Sequence, residues 1–140
     1  MSKTAVIYWS GTGNTEAMAK AIEGGLKSGG AETVLLSVSG KDAASAVEQC
    51  EKVAFGCPSM GSEVLEESEF EPFFASVEGK LASKKAALFG SYGWGDGQWM
   101  RDWQERLALS GASLFEEGLI MQEAPDEAAC TEFGRRFAAF

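Results

Sequence analysis

Residues 10–15 form the segment of the sequence whose residue types are best suited to binding an anion. The segment reads S-G-T-G-N-T and consists of Ser10, Gly11, Thr12, Gly13, Asn14 and Thr15. Its two glycines let the backbone curl around an anion, and its four polar side chains can donate hydrogen bonds. A run of small polar residues is also typical of a simple helix N-cap. We interpret the segment as a loop that binds phosphate.

The composition of this loop limits the kind of phosphate that it can bind. The loop for a nucleoside triphosphate follows the pattern G-x-x-x-x-G-K-[ST], and residues 10–15 contain neither Lys nor Arg. The dinucleotide pattern G-x-G-x-x-G also fails, because Glu16 and Ala17 follow the loop without a third glycine. A single phosphate group fits this loop best.

The chain contains no histidine. This absence removes the usual general base, the Ser-His and Cys-His nucleophile pairs and the commonest metal ligand. Cys50, Cys57 and Cys130 are odd in number and form no C-x-x-C pair, so we expect reduced packing residues and no metal site. We therefore assign no catalytic residue and expect the chemistry to belong to a bound cofactor.

Two further segments contain residues suited to a planar ligand. They consist of Pro58, Ser59, Met60, Gly61, Ser62 and Glu63, and of Ser91, Tyr92, Gly93, Trp94, Gly95, Asp96 and Gly97. A tryptophan between glycines is costly to expose unless a planar partner covers it, so Trp94 is predicted to be a ring platform. Met60 has a polarizable thioether that suits the opposite face of a ring. Packing of Trp94 on the domain's own core, or of Met60 within its loop, is the alternative.

Five short apolar runs predict the strands that position these loops. They cover residues 4–9, 33–38, 52–57, 86–92 and 119–122. The runs lack clean polar–apolar alternation, which favours strands covered on both faces, as in a parallel sheet. The three loops follow the first, third and fourth runs, so a parallel sheet would bring them to one edge.

Segments with helical spacing lie between and after these strands. They are marked by Met18, Ile22 and Leu26, by the stretch after Asp42, by Phe70–Val77, by Trp99, Trp103 and Leu107, and by Ala129, Phe133 and Phe137. We expect Trp99 and Trp103 to pack in the core. The alternation predicts one domain over residues 1–140, a doubly wound α/β fold whose ligand binds outside the carboxyl ends of the strands.

The three loops together resemble the FMN-contacting loops of short-chain flavodoxins from anaerobic bacteria. The motifs that carry the resemblance are S-G-T-G-N-T at 10–15, C-P-S-M-G-S-E at 57–63 and G-S-Y-G-W-G-D-G at 90–97. The resemblance implies a flavodoxin-like five-stranded parallel sheet of order 2-1-3-4-5 with helices on both faces. It also implies a low-potential one-electron carrier, whose non-covalently bound FMN passes between oxidised, semiquinone and hydroquinone states.

The resemblance also implies a role for each loop. Residues 10–15 would hold the phosphate, Trp94 would cover one flavin face and Met60 would approach the other. Glu63, with backbone groups around Gly93 and Gly95, would hydrogen-bond the pyrimidine end of the ring.

Gly61 has a separate implied role in the second loop. Its peptide with Ser62 resembles the one that turns its carbonyl toward flavin N5 on reduction, and a type II′ turn needs φ > 0 at this position. Some relatives have serine where Pro58 stands and an acidic residue where Ser62 stands. The effect of these two residues on FMN affinity and potential therefore stays open.

The charge of the chain points to basic protein partners. Twelve Lys and Arg against 21 Asp and Glu give a net charge of −9, which repels nucleic acid and anionic lipid. Acidic residues follow the second loop at Glu63, Glu66, Glu67, Glu69 and Glu71, with Asp96 across from them. This acidic run is either a solvated face or a docking surface for reductases and ferredoxin-dependent enzymes, the partners that the resemblance implies.

The start of the chain carries no pattern typical of a secretory leader, and no apolar run is long enough to span a membrane. We therefore expect a cytoplasmic monomer.

Two other functions use a related fold. A quinone or azo reductase with FMN would need a substrate pocket over the flavin, whereas Trp94 and Met60 are expected to cap both ring faces. A receiver-like signalling domain would need clustered aspartates after the first and third strands, where this chain has Tyr8-Trp9-Ser10 and Gly56-Cys57-Pro58.

Overall fold

The computed structural model describes residues 3–140. Met1 and Ser2, part of the start on which the expectation about a leader rests, lie outside the described residues. The strands are β1 (Lys3–Tyr8), β2 (Glu32–Ser37), β3 (Lys52–Gly56), β4 (Lys85–Tyr92), β5 (Ser113–Leu114) and β6 (Leu119–Gln122). The helices are α1 (Asn14–Ser28), α2 (Ala43–Gln49), α3 (Phe70–Val77), α4 (Gln98–Leu109) and α5 (Glu127–Ala138), and a 3-10 turn at Glu78–Lys80 follows α3.

The strands form one parallel sheet of order β2-β1-β3-β4-β5, with β6 also paired to β4. In the centre of the sheet, Val6 of β1 lies opposite Leu35 of β2 and Ala54 of β3. The order 2-1-3-4-5 predicted from the sequence is confirmed.

The structure adds one strand to the predicted five, because two short strands share the fifth position. β5 pairs with Lys85 and Ala86, and β6 pairs with the later residues of β4. Between them Phe115 keeps one ladder bond, from its N–H to the Ala86 carbonyl at 2.8 Å. The chain then leaves the ladder at Glu116, where φ is +51°. A two-residue strand is too short to produce a periodic signal in the sequence.

Helices cover both faces of the sheet, as the non-alternating strand sequences predicted. Ala5 and Ile7 of β1 pack with residues of α2, α3 and α4, whereas Val6 packs with residues of α1 and α5. β3 is accordingly buried along its whole length. Within residues 3–140, none of the helices has both the length and the apolar character needed to cross a membrane.

An aromatic cluster fills the space between α3, α4 and the sheet. Trp103 meets the rings of Phe70 and Phe74 edge-on at centroid distances of 5.4 and 5.8 Å, and Phe74 meets Phe55 in the same way at 5.2 Å. Edge-to-face pairs add about 0.5–1.5 kcal/mol each beyond the area that they bury. Trp99 is also buried and donates from Nε1 to the Cys57 carbonyl at 3.2 Å. The prediction that Trp99 and Trp103 are core residues is confirmed.

On the other face, α1 and α5 pack with their backbones in close approach. A Cβ added at Gly25 would lie 1.9 Å from the Thr131 carbonyl oxygen, and one at Gly134 would lie 2.1 Å from that of Ile22. Lys52 of β3 holds the end of α5 by donating from Nζ to the carbonyls of Phe137 and Ala138 at 3.2 and 2.9 Å. The two glycines therefore let α1 and α5 pack closely, and Lys52 joins α5 to the sheet.

The three cysteines are free and buried. Burial raises the pKa of the Cys130 thiol to about 11 and raises the pKa of Cys57 far above its ordinary value. Because the thiolate is the reactive form, these residues act as packing groups, as the sequence indicated.

Candidate functional site

A cleft of about 300 Å³ opens at the carboxyl ends of β1, β3 and β4. Its lining comes from the three loops singled out in the sequence and from two further residues. The lining residues are Trp9, Gly11, Thr12, Asn14, Pro58, Ser59, Met60, Ser91, Tyr92, Gly93 and Glu123. The cleft lies where ligands of doubly wound folds bind, and its volume is that of a small-molecule site.

The first loop, residues 10–15, presents free backbone donors to this cleft. The Ser10 hydroxyl accepts a hydrogen bond from the Gly13 N–H at 3.0 Å, and Gly13 caps α1 with φ +98°. Within the described residues, the N–H groups of residues 11, 12, 14 and 15 donate to no protein acceptor. They lie at the positive end of a 15-residue helix, which favours an anion. The donor set fits a phosphate group.

Thr15 and Ser91 connect the first loop to the third. The two hydroxyl oxygens lie 2.8 Å apart, and Thr15 is only 1% exposed. The Thr15 hydroxyl is therefore engaged with Ser91, whereas the Thr15 N–H has no acceptor within residues 3–140. The Ser91 carbonyl also accepts from the Ser59 N–H at 3.0 Å, so Ser91 holds all three loops together.

The second loop, residues 58–63, is narrow and held at its base. The N–H of Met60 donates to the Val64 carbonyl at 2.8 Å, and that of Val64 donates to the Met60 carbonyl at 2.9 Å. At the tip, Gly61 has φ +51°, and a Cβ added there would meet no atom within 4 Å. Met60 is 38% exposed beside the cleft. The loop therefore combines a fixed base with a tip that has space to change conformation.

Glu63 fastens the second loop to the N-terminus of α4. Its Oε1 accepts from the N–H groups of Gly97 and Gln98 at 3.2 and 3.0 Å. Its carboxyl group lies so close to Gly95 that an added Cβ would come within 2.5 Å of Cδ. Its second oxygen, Oε2, accepts no hydrogen bond from residues 3–140.

The third loop, residues 91–97, places Trp94 at the rim of the cleft. Trp94 is 63% exposed, which excludes the alternative in which it packs on the domain's own core. Tyr92 and Gly93 line the cleft itself, whereas Trp94 stands outside the lining. Asp96 turns toward α4, where its Oδ1 pairs with the Arg101 guanidinium at 2.9 Å.

The sequence interpretation missed two residues that line the cleft. Trp9 was assigned to the first strand, but the strand ends at Tyr8 and the half-buried indole belongs to the cleft wall. Glu123 follows β6 with φ +58°, and its N–H donates to the Tyr92 carbonyl at 2.8 Å. The available signals were an aromatic residue directly before a glycine-rich loop and an acidic residue after the last strand.

Glu66 of the acidic run stabilises the start of α3. It is 7% exposed, and its carboxylate accepts from the N–H groups of Ser68, Glu69 and Phe70 at 2.9, 2.7 and 2.9 Å. Burial alone would raise the pKa of Glu66, but the backbone donors outweigh burial and lower it.

Two other carboxylates of the run have partners as well. Glu71 forms a bidentate pair with Arg106 at 2.7 Å, and Glu69 accepts from the Trp9 indole at 3.0 Å. The acidic run is therefore more than a solvated face, because four of its carboxylates, including that of Glu63, organise the structure next to the cleft.

The parallel sheet and the loop of free donors after β1 define the chain as a mononucleotide-binding α/β protein. The family model for flavodoxin matches residues 6–134. The flavodoxin of Clostridium beijerinckii is 48% identical over 135 residues, which cover 95% of this chain and 97% of that protein. For the flavodoxin of Megasphaera elsdenii the identity is 46% over 135 residues, covering 95% and 96%.

The solution structure of two-electron reduced M. elsdenii flavodoxin matches this fold with a TM-score of 0.90 at 43% sequence identity, covering 98% of this chain and 99% of that one. The chain belongs to the flavodoxin family. It is an FMN-binding electron carrier, not an enzyme.

Proposed function

We propose that residues 1–140 form a single domain that carries one electron at a time, at low potential, with FMN held non-covalently in the cleft. The observation that carries this proposal is the set of free N–H donors at the start of α1, directly beside the cleft. These donors bind the FMN phosphate without a lysine or arginine, and bound FMN supplies one-electron redox chemistry at its ring.

The side chains at the rim suit the ring of the same cofactor. Met60 and Trp94 are large apolar side chains held exposed beside the cleft, and contact with a planar ring would remove their surface from water. The Oε1 atom of Glu63 caps α4, and its Oε2 atom can accept a further hydrogen bond. This free acceptor suits the pyrimidine end of the ring. Backbone groups of residues 93–97 complete this side of the site.

The proposed cofactor-binding residues are therefore those of the three loops. They are Ser10, Gly11, Thr12, Gly13, Asn14, Thr15, Pro58, Ser59, Met60, Gly61, Ser62, Glu63, Ser91, Tyr92, Gly93, Trp94, Gly95, Asp96 and Gly97. Ser10, Gly13 and Ser91 shape the loops, and Thr15 acts through its backbone N–H.

The acidic surroundings of the cleft support the low potential and the choice of partner. Glu123, Asp96 and the exposed part of the acidic run place negative charge near the cleft. This charge opposes the addition of electrons to the cofactor and steers basic redox proteins toward the cleft. We propose that the chain works as a cytoplasmic monomer that docks with redox partners through this edge.

Titration of the apoprotein with FMN and with riboflavin tests the proposal. Because riboflavin lacks the phosphate, it cannot use the donors of residues 11–15, and we expect FMN to bind far more tightly. The FMN-loaded protein should accept electrons singly in a redox titration and should oxidise NADPH only slowly by itself. A protein that binds neither ligand, or that binds both with the same affinity, would contradict the proposed site.

A further inference from the structure

Trp9 occupies a position between the phosphate-binding loop and the acidic run. Its half-buried indole lines the cleft together with Gly11, Thr12 and Met60. The ring lies so close to the loop that a Cβ added at Gly11 would be 3.0 Å from Trp9 Cη2 and 3.3 Å from Cζ3. A side chain at position 11 would crowd the indole, so the glycine leaves room for Trp9 in the cleft wall.

One carboxylate fixes the orientation of this ring. The Trp9 Nε1–H donates to Glu69 Oε1 at 3.0 Å, and the Ser39 hydroxyl donates to Glu69 Oε2 at 2.9 Å. Glu69 directly precedes α3 and Ser39 follows β2, so the carboxylate connects two loops to the cleft wall. An ionised carboxylate accepts at both oxygens, and hydrogen bonds to it are stronger than those between neutral groups.

We propose that Trp9 is an FMN-contacting wall of the cleft and that Glu69 is a positioning residue that holds the indole in place. The inference rests on the proposed function of the cleft. An indole fixed beside the free donors of the first loop shields them from water, and this exclusion strengthens their interaction with an anion. Glu69 thus affects cofactor affinity through Trp9, although it lies outside the cleft lining.

Two substitutions at Glu69 separate the hydrogen bond from the charge. Glu69→Leu removes both acceptors, and we expect it to raise the FMN dissociation constant up to about tenfold, because the indole is then no longer held in place in the cleft wall. Glu69→Gln keeps an oxygen that accepts from the indole and gains an amide that donates to the Ser39 hydroxyl. We expect its dissociation constant to stay within about twofold of the wild-type value.

Trp9→Phe shows whether the effect passes through the indole. Phenylalanine keeps an aromatic wall but has no N–H for Glu69 to accept. In the Trp9→Phe background, we therefore expect Glu69→Leu to cause no further loss of affinity, as measured by a double-mutant cycle.

Glu67→Leu is the matched control. Glu67 is exposed, carries the same charge two residues away and forms no hydrogen bond or ion pair within residues 3–140, so its replacement should leave FMN affinity unchanged. Thermal unfolding of each apoprotein verifies that the variants fold.

The possible outcomes separate the inference from the proposed function. Failure of wild-type protein to bind FMN would overturn both. If wild-type protein binds FMN, the inference is overturned by a folded Glu69→Leu with wild-type affinity, by Glu69→Gln as weak as Glu69→Leu, or by additive effects of the Trp9 and Glu69 substitutions.

Discussion

We propose that the backbone conformation and the redox behaviour of the site are coupled at Gly61. Its φ of +51° is the positive value expected from the sequence for this turn, and the surrounding space would accommodate a side chain. A substitution at Gly61 therefore acts through backbone strain and not through a clash. β-Branched residues tolerate positive φ poorly, whereas asparagine tolerates it better.

We predict that Gly61→Val makes the first electron harder to add than in the wild-type protein, because valine disfavours the turn that presents the 61–62 carbonyl. The separation of the two one-electron potentials should shift by up to about 60 mV, the equivalent of roughly 1.4 kcal/mol. A redox titration of FMN-loaded protein measures this separation, with Gly61→Asn as the control that shifts it less. Unchanged separation in Gly61→Val would show that the turn is not coupled to reduction.

Glu66 makes the free energy of unfolding depend on pH, in a direction that follows from its pKa. Its pKa is lower in the folded chain than in the unfolded chain, so the unfolded state binds the proton more readily. The contribution of the Glu66 carboxylate to the free energy of unfolding is therefore complete above its unfolded pKa of about 4.3 and is lost as pH falls through its folded pKa.

We predict that Glu66→Gln lowers the free energy of unfolding by about 1–2 kcal/mol at neutral pH, since it weakens the acceptor at the start of α3. At pH 3 the difference between wild-type and variant proteins should shrink, because the wild-type side chain is then increasingly protonated. Denaturant unfolding at both pH values measures this difference in the free energy of unfolding. A difference that stays constant with pH would rule out the carboxylate as its cause.

The sequence predicted that the three loops meet at the carboxyl ends of the strands, because glycine and small polar residues mark such loops within a few positions of the chain. It missed Trp9, because an aromatic residue after an apolar run is as typical of a strand as of a binding wall. The acceptor for that indole, Glu69, is 60 positions away, and the N–H groups that Glu63 caps are 34 and 35 positions away. Contacts over such distances depend on the assembled sheet and leave no local pattern.

At the scale of the elements, the sequence predicted helix bounds best where buried apolar residues keep the helical repeat. The bounds of α3 match the prediction over Phe70–Val77, because Phe70, Phe74 and Val77 follow the helical repeat and are all buried. Three of the first four strands start one residue earlier than predicted, at Lys3, Glu32 and Lys85. These polar residues carry no hydrophobic signal, and they join the sheet through backbone pairing.

The close approach of α1 and α5 predicts opposite effects for two neighbouring glycines. Gly25→Ala would force a methyl group against the Thr131 carbonyl, so we expect a loss of about 1–3 kcal/mol in the free energy of unfolding. Gly24→Ala meets no atom within 4 Å, and the higher helix propensity of alanine should stabilise the protein by up to about 1 kcal/mol. Chemical denaturation compares the two variants. Equal effects in both would contradict this helix packing.

At the scale of the whole molecule, charge is distributed unequally between the amino and carboxyl ends of the parallel strands. Lys3, Lys52 and Lys85 begin β1, β3 and β4, whereas carboxylates gather around the cleft at the carboxyl ends. With a net charge of −9, this arrangement supports the proposal that a positively charged partner docks at the cleft.

We predict that electron transfer to a basic redox protein slows as salt is raised from about 0.01 to 0.5 M, because the Debye length falls from about 30 Å to a few Å. Stopped-flow kinetics with the FMN-loaded protein measures the rate. An uncharged small-molecule acceptor serves as the control, and its rate should hardly change. Salt-independent rates with the basic protein would exclude electrostatic docking.

The packing of the first helix on the last affects how the protein can be made. A ribosome releases α1 well before α5, so the apolar side of α1, with Met18 and Ile22, has no helix to cover it until α5 emerges. The residues that line the cleft extend from Trp9 to Glu123. The cleft is therefore complete only after Glu123 has been made, and until α5 packs on it an exposed α1 is a natural target for chaperones that shield apolar surface.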